Sequence, residues 1–191
     1  MVGLRKMKIL LAMTGASGIV YGRRLLEFLS DKEDIHVDLI VSRSGRELLK
    51  TESNISYEDL KEEADRVFDP SEMSRAPSSG SSKYDAMAIV PCSMSSLSKI
   101  ANGISDNLIT RAAAVFLKED RKVVVTPRET PLTSIWLENM HRVSSEGAVI
   151  LPAMPAFYSE PEGIDDLVDF VVGKIVDSLG IENNLYKRWD E

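Results

Sequence analysis

Unbroken apolar stretches alternate along this chain with stretches in which apolar residues return at helical spacing. Met7 to Met13 is an apolar run and reads as a central strand of a parallel sheet, buried on both faces. Val37 to Val41, Ala86 to Val90, Val123 to Thr126 and Ala148 to Leu151 repeat the strand pattern, and Arg66 to Phe68 supplies a short one. Between them, Ile19 to Leu29 and Gly45 to Lys50 read as helices. Ser56 opens another helix, with Asp59 completing an S-x-x-D capping pattern. Ser95 to Lys118 is a long helical stretch broken near Gly103, and residues 70–83, rich in Ser, Pro and Gly, form a long loop. Pro131 suits the first turn of the next helix, with Thr130 as its cap. The last helix runs from Ile164 to Leu179, with Leu167, Val168, Val171, Val172 and Ile175 on its buried face and Gly180 as its stop.

This alternation predicts an α/β fold: a doubly wound parallel sheet of about six strands with helices on both faces. No repeat or linker divides the chain, so residues 1–191 read as one domain, with 181–191 as a polar C-terminal tail that carries Tyr186 and Trp189. A length of 191 residues, 43% of them hydrophobic, suits a single domain with a sizeable core.

Charge and cysteine usage narrow the function. A net charge of -7 makes a generic nucleic-acid binder a poor reading, because phosphate neutralisation needs a basic face. Cys92 is the one cysteine, so no internal disulfide can form, which fits a reducing cytoplasm. His36 and His141 lie far apart and no C-x-x-C or H-x-x-x-H spacing occurs, so no metal site is expected. No apolar run approaches the roughly 20 residues of a membrane span. The basic start Arg5-Lys6-Met7-Lys8 precedes an apolar segment too short for a secretion signal.

The unusual residues share one location. Thr14 to Gly18, Ser42 to Gly45, Pro91 to Ser96, Pro127 to Pro131 and Pro152 to Tyr158 each follow a predicted strand, which places five loops at the carboxyl edge of the sheet. Open α/β sheets bind ligands there. Gly15 and Gly18 permit close backbone approach and Ser17 offers a hydroxyl at a helix start, where an anion is favoured. A tight turn with Ser17 as an ordinary helix cap is the alternative. The loop is neither G-x-G-x-x-G nor G-x-x-x-x-G-K-[ST]. Arg128-Glu129 is well placed to reach a ligand, or else forms a surface ion pair. Arg111 and Lys118, seven apart, share a helix face that is either a solvated basic surface or part of a site. Ser93, Ser95 and Ser96 could be helix caps, and Cys92, with no base partner in sequence, reads as a small buried hydrophobe. Lys174, beside Val171 and Ile175, either snorkels or reaches a ligand.

Taken in order, T-G-A-S-G, P-C-S-M, A-N-G-I-S-D-N-L-I-T-R-A-A, L-K-E, R-E-T-P-L, L-E-N-M, P-A-F-Y and D-L-V-D-F-V-V-G resemble the UbiX-type flavin prenyltransferases, from Thr14 to Gly173. The resemblance implies a Rossmann-like flavoprotein fold and a metal-independent enzyme. Such an enzyme joins the dimethylallyl group of dimethylallyl monophosphate to N5 and C6 of reduced FMN, for use by UbiD-type decarboxylases. It implies that Gly15, Ala16, Ser17, Ser42, Ser93, Met94, Ser95, Ser96 and Arg128 hold FMN. Lys118, Arg128, Glu129, Tyr158 and Lys174 would surround the prenyl phosphate, and Ser17, Glu52, Lys118, Glu129 and Tyr158 would serve the reaction. It also implies a homododecamer with sites at subunit interfaces. Three positions depart from the family pattern: Lys174 stands for the usual Arg and loses its bidentate fork, Trp136 stands for His, and Ala114 for Asp. Two other readings are an FMN-dependent decarboxylase of a cysteine-type substrate and a non-catalytic FMN-binding protein. The first usually carries a His in an early helix, and none occurs between residues 37 and 140. The second has no need of a Lys118, Glu129, Tyr158 and Lys174 cluster.

Overall fold

The computed structural model describes residues 5–189. The strands are β1 (Met7–Met13), β2 (Ile35–Val41), β3 (Arg66–Phe68), β4 (Ala86–Cys92), β5 (Lys122–Pro127) and β6 (Val149–Ile150). They form one sheet in the order β3-β2-β1-β4-β5-β6, and every neighbouring pair is parallel. The helices are α1 (Ile19–Ser30), α2 (Arg43–Glu52), α3 (Tyr57–Glu63), α4 (Met94–Ala101), α5 (Leu108–Lys118), α6 (Ser134–Ser145) and α7 (Ile164–Leu179). The expected doubly wound sheet of six strands is therefore present.

Side-chain alternation along β1 divides the core in two. Ile9, Leu11 and Met13 pack with Leu25 and Leu26 of α1 and with Val171 and Ile175 of α7. Leu10 and Ala12 point the other way, toward Leu97 of α4 and Ala112 and Phe116 of α5. Both faces of the strand are covered, so a nearly continuous apolar run is what the position demands. The break expected near Gly103 separates α4 from α5, and Asn107 caps α5 by accepting from the N–H groups of Ile109 and Thr110. Ser56 and Asp59 form the expected capping box at α3.

Two features depart from the sequence reading. Helix α6 starts at Ser134, and Thr133 is its cap, its hydroxyl accepting from Trp136 N at 3.4 Å. Thr130 and Pro131 do not open that helix. The segment from Pro127 to Thr130, with Leu132, instead lines a cavity, and helical N–H groups first need a partner three residues later. The second feature is Asp38, wholly buried in β2. It accepts from the Tyr84 hydroxyl, pairs with Lys8 Nζ at 3.2 Å and meets His36 Nε2 at 2.9 Å. A buried carboxylate is tolerable where donors surround it in this way.

Gly22 sets the approach of α1 to the sheet. A Cβ at this position would lie 2.2 Å from the Val90 carbonyl oxygen, a backbone atom with no freedom to retreat. Alanine gains ~1 kcal/mol over glycine in a helix interior. Gly22→Ala should nevertheless destabilise the protein, by about 1–3 kcal/mol of overpacking. Urea unfolding measures this, and a stabilised variant would contradict the packing described.

Candidate active site

Chain connectivity makes the site. From β1 the chain passes to β2 and β3 on one side of the sheet, while β4 leads to β5 and β6 on the other. A crevice opens where the carboxyl ends of β1 and β4 lie side by side. Thr14 ties the crevice together. It is 1% exposed; its hydroxyl donates to Pro91 O at 3.0 Å and accepts from Ser93 N at 2.7 Å. Its own N–H also donates to Pro91 O, at 3.1 Å.

Three helix N-termini converge at this edge. Ser93 caps α4 by accepting from Ser96 N at 3.2 Å, and its hydroxyl also donates to Ser96 Oγ at 3.0 Å. Met94 is buried behind them and Ser95 is exposed. Ser42 caps α2 by accepting from Gly45 N at 3.0 Å. The loop before α1 packs so closely on α2 that a Cβ on Gly15 would meet Ser44 Cβ at 2.4 Å. Helix α1 has no side-chain cap of its own; its N-cap is Gly18, at φ 101°. Ser17 is therefore not the N-cap, and the anion at this helix start comes from within the chain. Glu52 Oε2 accepts from Gly18 N at 2.8 Å and from Ile19 N at 3.2 Å.

Arg128 approaches the same loop from β5 and donates from Nε to Ser17 O at 3.1 Å. Burial works against the charge on Glu52. Hydrogen bonds from the Ser17 hydroxyl and the Gly18 and Ile19 N–H groups, with the Arg128 charge, outweigh it and hold the carboxyl below the usual glutamate range. Glu52, Ser17 and Arg128 thus form one contiguous group. Thr126, two residues before Arg128, is buried with a hydroxyl that finds no partner among the described residues.

The remaining predicted residues fall into three places. Glu129 lines a cavity of about 450 Å³ with Arg128, Thr130, Leu132, Met140 and Met154, and accepts from Thr130 N at 3.1 Å. Tyr158 and Lys174 form a second group at α7: Lys174 is on the helix, and Tyr158 packs against it from the preceding loop. Tyr158 stacks edge-on against Phe170, with centroids 5.8 Å apart, and Lys174 Nζ lies 5.8 Å from the Tyr186 ring. Lys118 joins neither group. It ends α5 and pairs with Glu119, just before β5 begins at Lys122, so it lies at the amino edge of the sheet. The six residues of β5 place about 20 Å between that edge and Glu129. Arg111, on the same helix, donates to Ser78 O at 3.3 Å.

Cys92 is fully buried, and burial pushes its thiol up to about 12, which fits the reading of it as a packed hydrophobe. Among the described residues no group of three His, Cys, Asp or Glu could hold a metal ion, and no helix is long and apolar enough to cross a membrane. Sequence reasoning missed Thr14 and Tyr21. Thr14 carried one signal, a polar β-branched residue ending a buried strand. Tyr21 lies one helical turn after Ser17, its ring beside Gly18.

An open parallel sheet with polar loops and helix N-termini at its switch point defines a flavodoxin-like ligand-binding protein. Comparison with known proteins narrows the class. The family model described as "Flavoprotein" matches residues 2–176. A flavin prenyltransferase UbiX from Methanothermobacter thermautotrophicus is 51% identical over 181 residues, covering 95% of this chain and 94% of that protein. Its counterpart from Methanocaldococcus jannaschii is 46% identical over 183 residues, covering 96% and 98%. Among solved structures, a dodecameric FMN-dependent UbiX-like decarboxylase from Escherichia coli O157:H7 superposes with a TM-score of 0.95 at 40% identity, covering 97% of this chain and 100% of that one. AnUbiX in complex with FMN and dimethylallyl pyrophosphate superposes with a TM-score of 0.95 at 38% identity, covering 98% and 99%. The chain belongs to the flavoprotein family and, within it, to the UbiX-type flavin prenyltransferases.

The capping role of Glu52 has a pH signature. A carboxyl held low in the folded state adds stability above its unfolded titration range, and that stability is lost as pH falls through the folded value. Glu52→Gln should therefore be less stable than the wild type at pH 7, with the gap closing as pH drops below the ordinary glutamate range. Urea unfolding across pH measures the gap; one independent of pH would show that Glu52 does not cap α1 as an anion.

Proposed function

We propose that this enzyme transfers the dimethylallyl group of dimethylallyl monophosphate to N5 and C6 of reduced FMN, and that the prenylated FMN passes to a UbiD-type decarboxylase. The observation that carries this reading is the Glu52–Ser17–Arg128 group at the switch point: an anion-tuned loop beside a cation, without the dinucleotide glycine pattern. The similarity to AnUbiX, solved with FMN and dimethylallyl pyrophosphate, supports FMN and a phosphorylated dimethylallyl group as the ligands.

The donor set fits FMN. Gly15, Ala16, Ser17, Ser42, Ser93, Met94, Ser95, Ser96 and Arg128 would hold it. Because Glu52 takes the first-turn N–H groups of α1, the flavin phosphate is better served at the start of α4. There the Ser95 N–H and the Ser95 and Ser96 hydroxyls are the donors on offer, since Ser93 N and Ser96 N already bond Thr14 and Ser93. Reduced FMN supplies nucleophilic N5 and C6. When the allylic C–O bond breaks, its electron pair leaves on the phosphate. Arg128, Lys118, Lys174 and the Tyr158 hydroxyl stabilise that charge. Glu129 carries protons: the one released at N5 ends on the phosphate, and in ring closure the prenyl C2 gains a proton while C6 gives one up. Ser17 and Glu52 set the electrostatics beside the reacting atoms.

Lys118 cannot serve the site of its own subunit from the amino edge of the sheet, so a neighbouring subunit delivers it. This requirement, with the dodecameric relative from Escherichia coli, supports a homododecamer with shared sites. The apolar cavity beside Glu129 and the cationic set favour prenyl transfer over decarboxylation of a cysteine-type substrate.

Glu129→Gln keeps shape and hydrogen bonding but cannot exchange protons. FMN affinity should persist while single-turnover flavin alkylation slows by roughly 10²–10⁴-fold. A near-wild-type rate with saturating FMN would remove Glu129 from the reaction. Subunit sharing has its own test, in which Lys118→Ala and Glu129→Gln subunits are co-assembled. If sites are shared, some combine an intact Lys118 with an intact Glu129, and activity returns above that of either parent. If Lys118 acts within its own chain, every site carries one lesion and activity stays low.

A further inference from the structure

The tail that carries Tyr186 and Trp189 folds back on α7 through one carboxylate. Asp177 Oδ2 accepts from the Tyr186 hydroxyl at 2.6 Å, and Oδ1 accepts from Asn183 Nδ2 at 2.7 Å. Arg188 donates to both oxygens, at 2.9 and 3.2 Å. Burial opposes the charge on Asp177, but the bonds from Arg188 and Tyr186 outweigh it and hold the carboxyl below its ordinary range. Gly173 makes room for the returning chain: a Cβ there would fall 2.3 Å from the Tyr186 ring. Its neighbour Asn183 donates to the Gly173 carbonyl at 3.3 Å.

The two tail rings then meet the two substrate-phosphate candidates of this region. Trp189 packs edge-on against Tyr158 with centroids 5.1 Å apart, and Tyr186 lies against Phe170 at 5.1 Å and beneath Lys174 Nζ at 5.8 Å. Tyr158 is 39% exposed and Trp189 71% exposed, so this is a surface contact that core packing does not require. Tyr158 sits on the loop between β6 and α7, where Phe170 offers its other packed edge. Without Trp189 its ring would be free on one side.

We propose that residues 181–189 form a positioning element of the active site: Asp177 clasps the tail to α7 so that Trp189 orients Tyr158 and Tyr186 orients Lys174 toward the prenyl phosphate. This rests on the function proposed above. Asp177, Tyr186 and Trp189 act through Tyr158 and Lys174, and none of them performs a chemical step.

The test uses the full-length enzyme and three variants. In Trp189→Ala the KM for dimethylallyl monophosphate should rise about tenfold, the size expected for the loss of one edge-to-face ring contact. FMN affinity and oligomer size should stay as in the wild type. Trp189→Phe, which keeps a ring, should restore KM to within about threefold. In Asp177→Ala, without ligand, trypsin should cut after Lys187 and Arg188 faster than in the wild type, because the clasp no longer holds them. An unchanged KM in Trp189→Ala, or an unchanged cutting rate in Asp177→Ala, would overturn the proposal. A fall in FMN affinity matching the rise in KM would overturn it too, since that marks a general loss of structure. A wild-type protein that binds FMN yet makes no prenylated product would defeat the function reading first, and this result is separable from an active wild type with an indifferent Trp189→Ala.

Discussion

The carboxyl edge of this sheet depends on the Thr14 hydroxyl. The chain leaves adjacent strands β1 and β4 in opposite directions, and beyond their paired residues a backbone bond from Thr14 N to Pro91 O joins them. The Thr14 side chain adds two more bonds. It donates to Pro91 O and accepts from Ser93 N, so one buried side chain fixes the start of the glycine loop against the cap of α4. A valine of the same shape would leave the Pro91 carbonyl with one donor fewer and the Ser93 N–H without its acceptor. Leaving the Ser93 N–H unpaired costs about 1–3 kcal/mol, while the Pro91 carbonyl keeps the Thr14 N–H.

From that fixed point the charges follow. Three helices present their positive ends to the crevice, and the chain answers two of them with serine hydroxyls and the third with the Glu52 carboxylate. An acidic chain of net charge -7 has to concentrate cations to hold a phosphate ester, and in the proposed site they would come from scattered parts of the fold: Arg128 just after β5, Lys174 in α7, Lys118 from the far end of α5. On the proposed roles Lys118, at the amino edge of the sheet, would have to come from a neighbouring subunit, which would tie catalysis to assembly.

The parts of this arrangement that the sequence made legible are those governed by local rules. Strand β1 is readable because a strand covered on both faces must be apolar along its length, and the capping box at Ser56 and the stop at Gly180 are short-range chemistry. The clustering of site loops followed from strand direction alone. What stayed hidden depends on contacts distant in sequence. Glu52 ends an unremarkable amphipathic helix, and nothing near it announces that it caps a helix starting more than thirty residues earlier. Asp38 sits inside a hydrophobic run, and besides His36 on its own strand its partners Lys8 and Tyr84 come from two other stretches of chain. Thr130-Pro131 has the composition of a helix start, yet the chain uses that stretch to line a cavity and begins the helix with the next threonine. Family resemblance supplied the functional roles of Lys118, Tyr158 and Lys174; spacing alone left Lys118 and Lys174 open between surface and site and put Tyr158 only in a loop at the carboxyl edge.

The claim that matters most is that this protein alkylates a flavin with an allylic phosphate. The direct measurement is to incubate the pure protein anaerobically with reduced FMN and dimethylallyl monophosphate and to weigh the released flavin by mass spectrometry. The account predicts a product heavier than FMN by one five-carbon prenyl unit, formed in proportion to enzyme and absent when the prenyl phosphate is left out. Recovery of unmodified FMN alone, from protein shown to bind it, would contradict the account.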